Sequence, residues 1–117
     1  MDCWPEIAEL KGRTFKTLDQ KKPFDVVAIT DQTVIIKPHA SSKERFIDRQ
    51  EIEGAFNHLM RQGQISRTEI QAKFSPRNPV YVATLLAALP QVECSVRPIE
   101  LRVKADNAWS HGCNLRF

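Results

Sequence analysis

The sequence has few cysteines and no long apolar run, and these two features disfavour a disulfide-rich secreted protein and a membrane protein. Cys3, Cys94 and Cys113 are odd in number and widely spaced, whereas small secreted scaffolds carry dense, even sets that pair as disulfides. The longest weakly polar stretch, residues 80–89, covers about half of a membrane span. The first residues are acidic where a signal peptide is basic. We therefore expect a cytoplasmic protein with reduced thiols and no membrane partner.

Glycines and catalytic motifs are scarce as well. The 117 residues include four glycines and no G-x-S-x-G, G-x-G-x-x-G or Walker pattern, so the loops that hold phosphates or nucleophiles in many enzymes are missing. The histidines are far apart: His39 lies in a loop, His58 near an apolar helix stripe and His111 in the tail. We expect His58 at the boundary of the core and not as a base. The sequence thus predicts no catalysis and no cofactor.

A zinc site is not expected either. His111 and Cys113 flank Gly112, and Cys3 or Cys94 would have to complete the ligand set. Neither a C-x-x-C nor an H-x-x-x-H spacing supports such a site. We predict no metal, and an incidental histidine and cysteine in a C-terminal tail.

The proportions of hydrophobic and charged residues are typical of one globular domain. Hydrophobic residues make up 42% and charged residues 26% of the chain, the usual balance of such proteins. A chain of 117 residues has the size of one domain and can bury a core without disulfides. We interpret residues 1–117 as a single domain with a β-rich part over 1–47, a helical part with a hairpin over 48–104, and a tail over 105–117.

Alternating side chains predict strands in the first part. After a lead-in over residues 1–12, polar and apolar side chains alternate over residues 14–18, as in a strand with one buried face. Residues 24–30 are rich in β-branched side chains, and residues 33–37 and 44–47 have the pattern of two further strands. We therefore predict a small antiparallel sheet.

Helix-capping signals begin the second part. Asp48 is a good N-cap with Glu51 in capping-box position, and Ile47 and Ile52 form the hydrophobic staple. Gly63 supplies the C-terminal stop. Together these signals predict a helix over residues 48–62.

The same signals recur at once in a second helix. Ser66 and Glu69 form another capping box, and Ile65 and Ile70 form its staple. A Phe-Ser-Pro sequence then interrupts the helical pattern. A short helix is therefore predicted over residues 66–73.

A third helix is predicted over residues 79–89. Asn78 serves as its cap, Pro79 occupies the first helical position and Pro90 ends it. The apolar stripes of the three helices predict one buried cluster, which contains Phe56, Leu59, Ile70, Val82, Leu85, Leu86 and Leu89.

Two β-rich segments, residues 92–96 and 99–103, follow the helices and are joined through Arg97-Pro98. They predict either a hairpin with a tight turn or one strand interrupted at Pro98. The tail has no periodicity, although its apolar residues Trp109, Leu115 and Phe117 are able to pack back on the domain.

The order of these predicted elements resembles a winged helix-turn-helix module. A helix of about three turns, a glycine turn, a short capped helix, a third helix and a hairpin follow one another over residues 48–104. Residues 63–70 also resemble the way in which such modules open their second helix. The resemblance implies an α+β fold, in which a small N-terminal antiparallel β meander packs on a three-helix winged-helix-like module with a C-terminal β hairpin.

The resemblance also implies double-stranded DNA as the partner. In such modules the third helix enters the major groove, while the second helix and the wing meet phosphates. Arg and Asn before the third helix are residue types that read guanine and adenine edges, and the start of the second helix offers free N–H groups to a phosphate. The predicted contacts are Arg67, Thr68, Arg77 and Asn78, supported by Arg97, Arg102 and Lys104 in the wing.

Charge is unevenly distributed along the chain. Residues 1–60 carry nine Lys and Arg against ten Asp and Glu, whereas residues 61–104 carry seven against three, a local excess of +4. Such an excess is an electrostatic footprint for phosphates. It is also within the range of an ordinary solvated surface, so both interpretations stay open.

One feature disfavours base reading by the third helix. With its leucines turned inward, its outward side chains are Val80, Thr84, Ala87 and Ala88, with Tyr81 at the side. Groove-reading helices present Arg, Lys, Asn or Gln there, whereas this smooth face suits packing against the N-terminal sheet or a partner. The sequence therefore predicts a phosphate-directed, non-catalytic nucleic-acid-binding module. The alternative is a protein-interaction module that uses the smooth face and the aromatic tail.

Overall fold

The computed structural model describes residues 3–104 and combines helices with strands. In chain order the elements are α1 (Trp4–Ala8), β1 (Thr14–Lys16), β2 (Pro23–Ile29), β3 (Thr33–Pro38), β4 (Arg45–Asp48), α2 (Arg49–Gln62), β5 (Gln64–Ser66), α3 (Arg67–Lys73), α4 (Pro79–Ala87), β6 (Val92–Val96) and β7 (Ile99–Val103). The chain therefore has an α+β fold, as its sequence predicts.

The first four strands form the predicted antiparallel meander, in the order β1-β2-β3-β4. Successive side chains of a strand point to opposite faces of its sheet. The inner face of this sheet accordingly buries one side chain in every two along the strands, namely Phe24, Val26, Val34, Ile36 and Ile47. The meander thus supplies one wall of the core.

Helix α2 confirms the predicted capping signals. Asp48 has an extended backbone and forms a capping box with Glu51, whose carboxylate accepts the Asp48 N–H at 3.1 Å. Gly63 is the C-cap, with a left-handed φ of 85°, and its N–H donates to the Leu59 carbonyl at 2.7 Å. A side chain at that φ would be strained, so glycine is the residue that lets the chain turn from α2 into the next strand.

Strand β5 was not predicted, because three residues are too few for an alternating pattern to show. Its central residue, Ile65, is buried and pairs with Leu101 of β7. Its last residue, Ser66, caps α3: the Ser66 Oγ accepts the Glu69 N–H at 3.1 Å, and the Ser66 N–H donates to the Glu69 carboxylate at 3.0 Å. The second predicted capping box is thereby confirmed.

Helix α4 begins at Pro79 as predicted, but its capping hydrogen bond and its C-terminal end differ from the prediction. Asn78 occupies the N-cap position, but its side chain makes no capping hydrogen bond, because its Oδ1 accepts a hydrogen bond from Arg45 Nη1 at 3.2 Å. The helix ends at Ala87, before the predicted residue 89. Leu89 is nevertheless buried in the turn that follows.

Strands β6 and β7 form a hairpin, which decides between the two predicted arrangements. Val96 pairs with Ile99 across the Arg97-Pro98 turn, which contains a cis peptide bond. β7 lies between β5 and β6 in a three-stranded sheet. Because β5 leads directly into α3, this sheet joins the hairpin to the start of α3.

One hydrophobic core joins the N-terminal meander to the helical part. It combines the inner face of the meander with the apolar faces of α1, α2, α3 and α4 and with the second sheet. Every residue of the predicted cluster is buried: Phe56, Leu59, Ile70, Val82, Leu85, Leu86 and Leu89. Within residues 3–104, no helix is long and apolar enough to span a bilayer.

The predicted smooth face of the third helix is covered in part, and Ala88 at its end is exposed. Thr84 is buried, and Val80 and Ala87 are half-buried. Tyr81 of α4 packs against Phe24 of β2 in a T-shaped contact, with ring centroids 5.0 Å apart. The sequence left two partners for this helix open, the N-terminal sheet or another protein. The contact between Tyr81 and Phe24 shows that the meander of the same chain packs against α4. The aromatic tail, the other predicted interaction surface, lies outside the described residues.

Candidate nucleic-acid interface

An open groove of about 660 Å³ lies between the meander and the helical part of the chain. Its walls come from the β1–β2 turn, β4, the start of α3, the α3–α4 loop, the first turn of α4 and the β6–β7 turn. Among residues 3–104, its charged lining consists of five cationic side chains and one anionic side chain: Lys22, Arg45, Arg67, Arg77 and Arg97, with Asp19. We call it the cationic groove.

The β1–β2 turn brings Lys22 to the groove. Thr17 is buried, and its Oγ1 accepts the Lys22 N–H at 2.9 Å while its own N–H donates to the Lys22 carbonyl at 3.0 Å. Lys21 takes a left-handed φ of 59° within this turn. The backbone at Lys22 is therefore fixed, while its ammonium group is exposed to solvent.

Arg45 enters the groove from β4 and is held by the start of α4. Its Nη1 donates to Asn78 Oδ1 at 3.2 Å, and its guanidinium carbon lies 5.5 Å from the centroid of the Tyr81 ring. That distance is typical of a cation–π contact. Phe24 supports the Tyr81 ring in turn. The guanidinium group is thus oriented by the protein, although Arg45 remains exposed.

Arg67 and Thr68 line the groove as the first two residues of α3, and both are exposed. Their position follows from the Ser66–Glu69 capping box, which fixes where the helix starts. The hydrogen bond from the Ser66 N–H holds the pKa of the Glu69 carboxyl below its ordinary value of 4.5. Glu69 Oε2 also lies 3.6 Å from Nε2 of His58, whose side chain is mostly buried, as predicted.

Arg77 is carried by the α3–α4 loop, which a buried serine anchors. The Ser75 N–H donates to the Ile70 carbonyl at 2.8 Å, and its Oγ donates to the Glu51 carboxylate. Two residues farther on, Arg77 is exposed and faces the groove. Ser75 therefore anchors the backbone of the loop to α2 and α3, while the Arg77 side chain is exposed to the groove.

Arg97 belongs to the β6–β7 turn and, among the described residues, is paired only with a groove carboxylate. It is 84% exposed, and its Nε lies 3.7 Å from Oδ1 of Asp19. Exposed ion pairs of this kind contribute about 1 kcal/mol or less. An incoming phosphate is therefore able to replace Asp19 at little cost.

Two predicted contacts, Arg102 and Lys104, do not line the groove. Leu101 of β7 is buried, so strand alternation turns Arg102 to the opposite face, where its Nη2 donates to Glu100 at 2.6 Å. Lys104 follows the end of β7, and its backbone N–H donates to the Gln91 carbonyl. The turn of the hairpin, and not its far end, is what reaches the groove.

The sequence reasoning missed Lys22 and Arg45, and it gave Asn78 another role. One signal for Arg45 existed: Ile47 is an inward residue of β4, and a period of two places Arg45 on the same face. Lys22 had no such signal, because only the folded chain brings its turn to α3. Asn78 lines the groove but is buried, and its Oδ1 accepts a hydrogen bond from Arg45, so in this structure it positions that arginine.

The chemistry that this arrangement supports is the binding of anions. Guanidinium groups donate paired hydrogen bonds to phosphate oxygens, and the ammonium group adds a point charge. Within residues 3–104, no group of three or more His, Cys, Asp or Glu side chains could hold a metal ion. The cationic lining is therefore suited to anionic groups such as phosphates.

No protein-family model, curated protein or solved structure matches the chain. The charge and geometry of the groove are therefore the evidence for what it binds.

Proposed function

We propose that the protein is a non-catalytic cytoplasmic module that binds nucleic acid through backbone phosphates in the cationic groove. The observation that carries this proposal is the convergence of five cations from five chain segments on a groove with one carboxylate. An ordinary solvated surface intersperses charges of both signs. Cations clustered along one face are instead the electrostatic footprint of phosphate binding.

The mode of binding is directed at phosphates and not at base sequence. Helix α4, which would read bases in a winged helix-turn-helix module, has six buried and three half-buried residues in the described part of the chain. Arginine and lysine contacts to phosphates position a nucleic acid without reading it. The order of α2, α3, α4 and the β6–β7 hairpin is the order on which the family resemblance depends, and it supports nucleic acid as the ligand.

The test is a fluorescence-anisotropy titration of labelled DNA of arbitrary sequence, as a duplex and as one of its strands, at several salt concentrations. Weak binding is expected at low salt, with a steep fall as salt rises, because neutralised phosphates release counterions. Combining Arg67→Ala with Arg77→Ala should weaken binding and flatten the log–log salt slope by up to about two units, near one for each lost contact.

A matched control removes the same charge elsewhere. Lys11 and Arg61 are exposed and do not line the groove, so Lys11→Ala combined with Arg61→Ala should leave the salt slope unchanged. Both double variants should melt as the wild type does, since all four side chains are exposed. The proposal fails if neither form of DNA binds at low salt, or if the two double variants weaken binding equally.

A second candidate function, protein interaction, rests on the outer face of the meander. Phe46 is 60% and Val27 42% exposed, and Phe46 lies opposite Ile35, a half-buried apolar residue of β3. Adjacent exposed apolar side chains mark interaction surfaces more often than isolated ones do. Phe46→Ser separates the two functions: DNA affinity should be unchanged, because this face lies on the opposite side of the meander from Arg45.

A further inference from the structure

Building on the proposed function, we propose that the cationic groove takes a single nucleic-acid strand in preference to a duplex. Three features of the described residues carry this inference: the covering of α4, the concave shape of the groove and the pairing of Arg45 with Tyr81. Each bears on a property that distinguishes an unpaired strand from a double helix.

The covering of α4 removes one way of binding a duplex, the insertion of this helix into a major groove. A major groove about 12 Å wide admits a helix whose polar side chains reach base edges. Here Thr84 is buried, Val80 and Ala87 are half-buried, and Tyr81 contacts Phe24 of the meander. Freeing this helix would also expose Leu85 and Leu86, which are fully buried. The folded protein therefore cannot insert α4 into a duplex.

The shape of the groove matches a thin ligand. A duplex is a convex cylinder that meets proteins through protruding side chains, whereas these cations line a concave space of about 660 Å³. That volume is in the range of sites that enclose small ligands. Lys22 and Arg45 come from the meander, while Arg67, Arg77 and Arg97 come from the helical part. A single backbone lying between these walls can meet cations of both parts.

The Arg45–Tyr81 pair supplies a surface for a base. The guanidinium carbon lies 5.5 Å from the Tyr81 ring centroid, and Asn78 fixes the group through one of its nitrogens. Guanidinium planes and aromatic rings stack on unpaired bases, whose faces are accessible, and proteins that bind single strands combine such platforms with a cationic groove. In a duplex the base faces are covered by their neighbours, so this pair adds affinity only for a single strand.

The test compares a DNA strand of about 20 nucleotides, longer than the usual site of a single-strand-binding fold, with the duplex it forms with its complement. The strand is chosen without self-complementarity, and both are titrated by anisotropy at the same salt. The wild type is expected to bind the strand at least about fivefold more tightly than the duplex, the low end of what one stacked base contributes.

Two pairs of variants locate the cause of this preference. Arg45→Lys keeps the charge and removes the planar group, so the preference should fall by about fivefold while the salt slope is unchanged. Arg61→Lys is the matched control and should keep the preference, because Arg61 is exposed, does not line the groove and has no aromatic partner among the described residues. In the second pair, Tyr81→Leu should lower the preference and Tyr81→Phe should retain it, in protein whose melting curve confirms folding.

The possible outcomes separate this inference from the function on which it rests. Equal or tighter binding of the duplex overturns the single-strand preference and leaves phosphate binding standing. A preference that survives both Arg45→Lys and Tyr81→Leu overturns the role of the pair. If neither the strand nor the duplex binds at low salt, the proposed function and this inference fail together.

Discussion

Ser66→Ala removes one half of the capping box that begins α3 and so tests how the groove is built. The Ser66 Oγ accepts the Glu69 N–H at 3.1 Å, and this bond is lost with the hydroxyl. The bond from the Ser66 N–H to the Glu69 carboxylate, 3.0 Å long, survives because it uses the backbone. Loss of an N-cap acceptor lowers the free energy of unfolding by about 1 kcal/mol, within a range of roughly 0.5–2 kcal/mol. We expect a loss of about 1 kcal/mol, the middle of this range. Ser66 is half-buried, so water replaces its hydroxyl as the partner of the Glu69 N–H only in part.

For a domain of 117 residues, 1 kcal/mol corresponds to a fall in Tm of about 4 °C. Urea unfolding followed by circular dichroism should show a lower midpoint with an unchanged slope, because the surface exposed on unfolding stays the same. Ser41→Ala is the matched control: the Ser41 Oγ also accepts a backbone N–H, from Lys43 at 3.1 Å, but in an exposed loop. The control should change the free energy of unfolding by about 0.5 kcal/mol or less.

Equal effects of Ser66→Ala and Ser41→Ala would refute this reasoning. They would mean that the Ser66 hydroxyl does not hold the start of α3. Ser66→Ala should change the affinity for nucleic acid less than it changes the free energy of unfolding. Arg67 and Thr68 stay at a helix start that keeps one of its two capping hydrogen bonds.

Two further predictions concern stability. Leu85→Ala should lower the free energy of unfolding by about 2–5 kcal/mol in urea titrations, because Leu85 is fully buried in the core; a loss well below that range would contradict the packing of α4 described above. The lowered pKa of Glu69 means that its contribution to stability is present above the ordinary value of 4.5 and is lost as pH falls through the folded-state pKa. Glu69→Gln should therefore lower Tm at neutral pH and reduce the difference in Tm between neutral and acidic solution, and an unaltered pH dependence would exclude this role for the carboxylate.

The elements that could be predicted from sequence are those encoded by neighbouring residues. Both capping boxes use a cap and an acidic residue three positions later, so Ser66 and Glu69 are recognisable without any knowledge of the fold. The glycine stop at Gly63 is equally local. The buried leucines of α4 follow from helical periodicity, because one face of a helix must meet the core.

The features that could not be predicted depend on contacts between distant parts of the chain. Arg45 precedes Asn78 by 33 residues, and nothing near Asn78 signals that its side chain will bind an arginine instead of capping a helix. Lys22 reaches the groove because the meander contacts α4 through Phe24 and Tyr81. Strand β5 becomes a strand only by pairing with β7, whose Leu101 lies opposite Ile65.

The central claim is that side chains of both parts of the chain contact one nucleic acid in the cationic groove. Backbone amide chemical shifts of ¹⁵N-labelled protein, followed while a short DNA strand is titrated, test this claim most directly. The account predicts saturable shift changes at Lys22 and Arg45 of the meander and at Arg67 and Arg97 of the helical part, all with the same Kd. Changes confined to the helical part, or centred on Phe46 on the outer face of the meander, would contradict it.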